Sequence, residues 1–144
     1  MTERTAAQLH PGVFDAINKR DWDALRDIYH SDLTYITGDG DRQVGPDAAV
    51  GAAQMFADAF PDLKVDVQRH HTTDNGDVSV IEYTFSGTHE GDLEGIPATG
   101  RRIEVVACSV SQASDGRIIE ERDYYDTLAV MEQIGVSVGS SADG

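Results

Sequence analysis

Hydrophobic positions along this chain change period twice. They run at helical spacing up to Phe60, alternate every second residue from Leu63 to about Tyr125, and return to helical spacing after Asp126. Leu9, Val13, Phe14 and Ile17 predict a helix from about Thr5 to Lys19. Pro11 either starts its main body or kinks a longer helix. Asp21 is placed to cap a second helix through Tyr29, with Trp22, Leu25, Ile28 and Tyr29 on its inner face. The two helices follow closely enough to form one bent, hairpin-like lid. Leu33 to Thr37 reads as a short strand, stopped by the loop GDGDRQVG. A third helix runs from Pro46 to Phe60, with Val50, Ala53, Phe56 and Phe60 as its inner stripe. Its alanines and Gly51 permit close packing, and Pro61 closes it.

Everything after Pro61 predicts an antiparallel sheet. Leu63, Val65 and Val67 alternate with Lys64, Asp66 and Gln68, the pattern of a half-buried strand. Asp74-Asn75-Gly76-Asp77 is a hairpin turn leading into a strand from Val78 to Thr88. A glycine-rich loop from Gly91 to Gly100 follows, then a strand from Arg101 to Val110, the turn Ser114-Asp115-Gly116, and a strand from Arg117 to Tyr125. A last helix over Thr127 to Gln133 ends at Gly135. Helices followed by a meander of strands predict an α+β domain, a curved antiparallel sheet wrapped around the N-terminal helices as a cone-shaped, barrel-like shell with a pocket at one end. Residues 1–144 are read as one domain with a core over about 8–135, and 136–144 as a small, polar, frayed tail.

Charge narrows the function. The chain holds 26 acidic and 11 basic residues, a net charge of −15, and Lys19 and Lys64 are its lysines. Nucleic acid, which needs a basic footprint, is therefore not an expected partner, and neither is an anionic membrane surface. The acids are scattered through turns and helix faces rather than gathered in a block. A self-repelling surface of this kind favours solubility but weakens folding at low salt, which suggests a salt-adapted, halophilic source. No apolar run approaches the roughly 20 residues of a membrane span, and MTERTAAQLH lacks the apolar core of a secretory signal. A cytoplasmic location is expected. Cys108 is a lone cysteine in a strand interior, read as a small buried hydrophobe.

The chemistry concentrates in DGRIIEERDYYDTLAVMEQIG, Asp115 to Gly135. Asp123 stands in mid-strand, where carboxylates are depleted, and such a conflict between propensity and pattern marks a place to look for function. Side chains alternate across a strand, so Ile119, Glu121, Asp123 and Tyr125 share one face. On the strand from Val78, Val80, Glu82 and Thr84 share a face opposite Ser79, Ile81, Tyr83 and Phe85. On the next, Val105, Ala107 and Ser109 oppose Val106, Cys108 and Val110. Parity leaves open which face lines the pocket. If Glu82 and Asp123 meet in a low-dielectric site, one carboxyl is pushed toward neutrality and the pair can divide acid and base roles. If not, both are solvated surface charges, or Asp123 pairs with Arg122 or Arg101. His70 and His71, adjacent in a strand, face opposite ways. His10 and His30 fall at predicted helix ends, where capping or exposure is expected. His89, leaving the strand in GTHEG, can reach over a pocket mouth. No metal site, Walker A loop, GxGxxG turn or GxSxG elbow is expected.

The segment FSGTHEGDLEGIPATGRRIEV (Phe85 to Val105), followed by Asp115 to Gly135 and preceded by DAINKRDWDALRDIYHSDLTY (Asp15 to Tyr35), resembles the SnoaL-like polyketide cyclases. These belong to the nuclear transport factor two-like superfamily. The resemblance spans about Val13 to Gly135. It implies a cofactor-free aldol ring closure, with an acid/base Asp on the last strand that falls on Asp123. It also implies a pocket face formed by Glu82, Thr84, Ala107, Ser109 and Asp123, with Tyr35, His89 and Tyr125 as rim or wall groups. Ser109 stands where anthracycline cyclases carry a pocket histidine, and Glu82 where family members commonly carry an arginine. The Arg-x-Asp pair of the related limonene epoxide hydrolases reads Glu82 and Thr84. The expected protein is thus a homodimer paired through the outer sheet face, with an apolar pocket for a small hydrophobic carbonyl compound. Asp123 and Glu82 would carry proton transfer, and Tyr35, Thr84, His89, Ser109 and Tyr125 would contact the substrate. The other expectation is a non-catalytic binding or assembly module of the same fold.

Overall fold

Local signals start the helices where the sequence places them. The computed structural model describes residues 3–136, so the expected tail, apart from Val136, lies outside the described residues. Thr5 opens α1 (Ala6–Lys19) with a reciprocal capping box: its hydroxyl accepts the Gln8 N–H while its own N–H donates to Gln8 Oε1. Pro11 sits inside this helix. Arg20 ends it in the left-handed region at φ 58°, and Asp21 then caps α2 (Trp22–Ile28) through the Ala24 N–H. Tyr29 begins β1 (Tyr29–Thr37) rather than ending α2, because its backbone is already extended. The loop expected over GDGDRQVG contains a further short strand, β2 (Arg42–Val44), paired to β1. Helix α3 (Pro46–Ala59) follows, with Pro46 in its first turn.

The remaining elements are β3 (Lys64–Thr72), β4 (Val78–Thr88), β5 (Arg102–Ser114), β6 (Arg117–Tyr125) and α4 (Thr127–Gln133). The bounds of β4, β6 and α4 match the periodicity, whereas β5 runs beyond Val110 to the Asp115-Gly116 turn. Both residues of that turn have positive φ, the conformation a tight two-residue hairpin requires. Asp126 caps α4 through the Ala129 N–H.

All six strands form one curved, unclosed sheet in the order β2-β1-β6-β5-β4-β3. The pairs from β3 to β6 are antiparallel, as the meander predicts, and so is β1 with β2. The β1–β6 pair is parallel. The chain between these two strands supplies the long crossover that a parallel pair needs. Register assigns the faces. Ile81, Ser109 and Asp123 stand in one row across β4, β5 and β6, and Tyr83, Ala107 and Tyr125 in the next. Side chains in a row share a face. Ser79, Ile81, Tyr83 and Phe85 are buried against the helices, while Val106 and Tyr124 stand exposed on the outer face. Cys108 is also on that face, half-buried rather than buried. No described helix is long and apolar enough to cross a membrane.

The core fills the concave side. Leu9, Val13 and Phe14 of α1, Leu25 of α2, Val50 and Ala57 of α3, and Phe60 beyond it bury against Ile81, Phe85, Ile103 and Ile118. Fully burying each large apolar side chain contributes about 1.5–3 kcal/mol. Gly87 of β4 permits a close approach, since a Cβ there would lie 2.9 Å from Phe60 Cβ.

Candidate active site

The helices do not fill the concavity. Over its outer part α3 presents Ala48, Ala49, Gly51, Ala52 and Ala53, and these short side chains leave a cavity of about 530 Å³, within the range of small-molecule sites. Phe14, Phe56, Tyr83, Phe85 and Tyr125 wall it. Phe56, Phe85 and Tyr125 meet edge to face with centroids 5.5–5.9 Å apart, a favoured aromatic arrangement that holds the walls in place. Asp39, Asp41, Asp47 and Glu94 lie among the lining groups, and none of the lining residues is Lys, Arg or His.

Two carboxylic acids of β6, Glu121 and Asp123, form the reactive part of the floor. Spaced two apart on a strand, they share a face. The parallel β1–β6 register sets Tyr35 opposite Glu121 and Thr37 opposite Asp123. Tyr35 donates its hydroxyl to Asp123 Oδ2 at 3.0 Å, and Tyr29 donates to Glu121 Oε1 at 2.8 Å. Burial raises the Asp123 pKa, opposed by hydrogen bonds from Glu121, Ser109 and Tyr35. Glu121 is raised well above the usual carboxyl range by burial first, then by the charge of Asp123 and their shared hydrogen bond; the Tyr29 hydroxyl opposes this. Both carboxyls are thus pushed toward the protonated form, Glu121 the more strongly, and the pair resists carrying two charges at once. Burial, reinforced by the acid pair, also raises the Tyr29, Tyr35 and Tyr83 hydroxyls well above their ordinary value, so they stay protonated donors.

The carboxyl beside Asp123 on the floor is thus Glu121 and not Glu82. Glu82 is not in the cavity: it pairs with Cys108 on the convex face and accepts from His71 Nε2 at 2.7 Å. Thr84 shares that outer face, opposite Val106. The pocket face that the resemblance implied mixes the two parities, since the register sets Ile81, and not Glu82, in the row of Ser109 and Asp123. Asp123 does not pair with an arginine either, since Arg122 turns away to Glu120 at 2.9 Å. Tyr35 and Tyr125 line the cavity as expected. Ser109 faces Asp123 from below the floor without lining the cavity. His89 is fully buried rather than poised over a mouth; its Nδ1 meets Thr99 Oγ1 at 3.0 Å and its ring packs on Phe60. His89 Nε2 and Ser111 Oγ are buried without partners among the described residues. His10, expected at an exposed helix end, is buried between Ser79 and Ser109. Glu121 and Tyr29 are the floor residues that sequence reasoning missed. The signal for Glu121 was available, since parity set it on the face of Asp123.

An open curved sheet with helices across its hollow, and an acid pair at the bottom of an aromatic cavity, defines an α+β protein with a pocket of small-molecule size. A family model for the SnoaL-like polyketide cyclases matches residues 8–134, and the chain belongs to that family. Over 91 residues it is 31% identical to aklanonic acid methyl ester cyclase DnrD of Streptomyces peucetius, a stretch covering 63% of this chain and 62% of that one. The chain thus matches less than two thirds of the length of its curated relatives. Among solved structures it is similar to IdmH of Streptomyces antibioticus, described as a polyketide cyclase, with a TM-score of 0.78, 26% identity and 91% and 99% of the two chains covered. A protein of Jannaschia sp. CCS1, described as a SnoaL-like polyketide cyclase, has a TM-score of 0.82 at 24% identity, with 92% of each chain covered; this second likeness speaks to the fold.

Proposed function

We propose that the protein is a cofactor-free acid/base enzyme that closes a ring in a small, largely hydrophobic carbonyl compound by intramolecular aldol addition. The observation that carries this reading is the Glu121–Asp123 pair, one carboxyl buried and one half-buried, at the floor of an aromatic cavity. Asp123, the ionised member, takes a proton from a carbon flanked by two carbonyl groups. The resulting enolate carbon attacks a second carbonyl of the same molecule, forming the new C–C bond. The alkoxide left on that second carbonyl takes the proton back from Asp123, so protons and charge balance over the cycle. Glu121, retaining its own proton, keeps Asp123 the single anion of the pair. The Tyr35 hydroxyl, protonated and within hydrogen-bond distance of Asp123, is the nearest donor for a developing oxyanion. A lining without cationic side chains suits a neutral ester or diketone better than a free carboxylate. The similarity to an ester cyclase supports the same choice.

The test is turnover of neutral polyketide methyl esters, beginning with aklanonic acid methyl ester, by wild type and Asp123→Asn. The variant should lose activity by about 10²–10⁴-fold while keeping its circular dichroism and melting temperature. Retained turnover would remove Asp123 from the mechanism. A wild type that binds such esters without converting them, and whose pocket carboxyls titrate normally by NMR, would make the protein a binding module.

A further inference from the structure

Below the cavity floor, on the side away from the mouth, a row of polar side chains leads out of the core. His70 Nε2 lies 2.7 Å from Ser79 Oγ, Ser79 Oγ lies 2.8 Å from His10 Nδ1, and His10 Nε2 lies 2.9 Å from Ser109 Oγ. Ser109 stands opposite Asp123 in the β5–β6 ladder, on the same face of the sheet, and its hydroxyl helps to offset the rise in the Asp123 pKa. His10, Ser79 and Ser109 are buried, whereas His70 is exposed on β3. None of the four lines the cavity. Packing alone does not call for them, because apolar side chains at positions 10, 79 and 109 together would leave none of these buried polar atoms to satisfy.

A neutral imidazole has one N–H donor and one bare nitrogen acceptor, so the row has two self-consistent states. With the proton on His10 Nε2, every donor points inward: His70 to Ser79, Ser79 to His10, His10 to Ser109, Ser109 to Asp123. With it on His10 Nδ1, every donor points outward and Asp123 is the protonated end. The two states differ by one proton delivered along the row. We propose that Ser109, His10, Ser79 and His70 form a proton path between Asp123 and solvent beyond β3, so that the acid pair can be charged or discharged while a ligand fills the cavity.

The proposal rests on reading Asp123 as the proton-transfer group. In the inward step a protonated His70 releases its Nε2 proton to Ser79. Ser79 passes its own to His10 Nδ1, His10 passes its Nε2 proton to Ser109, and Ser109 passes its own to Asp123. One proton enters, one arrives, and the His70 cation and the Asp123 carboxylate are both neutralised. His10 is suited to hand a proton on rather than keep it, because burial and then the nearby His70 lower its pKa to about 3. The side chains against it are Ser79 and Ser109, the Phe14 ring at 5.6 Å and the His70 ring edge-on at 6.4 Å. Of these, His70 alone is ionisable.

The experiment follows the His10 ring by ¹⁵N NMR in the free protein and measures exchange of its N–H with water. A fully buried N–H exchanges only by local opening unless a path delivers protons to it. His70→Ala, at an exposed position, and Ser79→Ala, which removes only an oxygen, should each slow that exchange by at least tenfold with melting temperature retained. In wild type the His10 nitrogen shifts should follow the titration of His70. A wild-type signal broadened away and recovered in His70→Ala is the fast limit of the same result. Equal exchange rates in wild type and both variants, or His10 shifts that ignore the His70 titration, would overturn the path. The measurement needs no substrate, so its failure is separable from a failure of Asp123→Asn to abolish turnover.

Discussion

Two buried ionisable residues, His10 and Glu121, and the half-buried Asp123 give the protein opposed responses to pH. His10 is held neutral, with a folded pKa of about 3 against 6.5, so the unfolded chain binds more protons between those values. Its contribution to stability is present above the unfolded value and is lost as pH falls through the window. Glu121 and Asp123 behave the other way. Their raised folded values mean the native state holds protons the unfolded chain releases, so stability present below their unfolded values is lost as pH rises through the folded ones. A His10→Gln variant, which keeps hydrogen-bonding capacity without ionising, should therefore lose about 2 kcal/mol less stability than wild type between pH 7 and pH 4.5. Urea unfolding at the two pH values measures this, and equal losses would remove His10 as the acid-sensitive group. Asp123 was legible as a carboxylate in the middle of a strand. Parity along β6 set Glu121 on the same face, but parity along β4 does not say which side of that strand is concave. Only the register of β4 on β5 separates Glu82 from the floor.

Among the elements, the parallel β1–β6 pair does most to build the site. It brings Tyr29 and Tyr35, far away in sequence, onto the two acids of β6. Nothing in the alternation of either strand names the other as its neighbour, so sequence reasoning placed Tyr35 near the pocket only through family resemblance. Helix α3 does the complementary work. Its alanine-rich stretch leaves the cavity open, while its C-terminal end is drawn tightly onto β4 at Gly87. There Asp62 accepts from both the Thr88 N–H and hydroxyl. Gly87→Ala would set a methyl 2.9 Å from Phe60 Cβ and 3.1 Å from Asp62 Oδ1. The resulting overpacking should destabilise the protein by about 1–3 kcal/mol, read as a lowered melting temperature. An unchanged melt would show that this contact relaxes freely.

At the scale of the whole molecule, charge dominates. With 26 acidic residues against 11 basic ones, most carboxylates lack a cationic partner. The ion pairs among the described residues are chiefly exposed ones such as Lys19–Asp15 and Arg26–Asp47, worth little each. Repulsion among the remainder is long-ranged at low ionic strength and collapses to a few ångströms near 1 M salt. On the proposal of a salt-adapted protein, the melting temperature should rise steadily from low to multimolar potassium chloride. A melting temperature indifferent to salt would end that proposal. The scattering of the acids was plain in the sequence. That Asp39, Asp41, Asp47 and Glu94 gather along the cavity lining was not, since they come from separate segments joined only by the fold.

The sequence by itself determined what depends on near neighbours. The helix and strand periods, the caps at Asp21 and Asp126, the Asp115-Gly116 turn and the unusual mid-strand Asp123 all rest on interactions within a few residues. The tertiary structure decided what depends on distant ones. It chose which strands adjoin, which face turns inward, and that Glu121 rather than Glu82 lies beside Asp123 on the cavity floor. It also buried His10 between two serines from different strands. Those outcomes follow from register and curvature, which are settled by packing the whole sheet against its helices and leave no mark in the local pattern of any one strand.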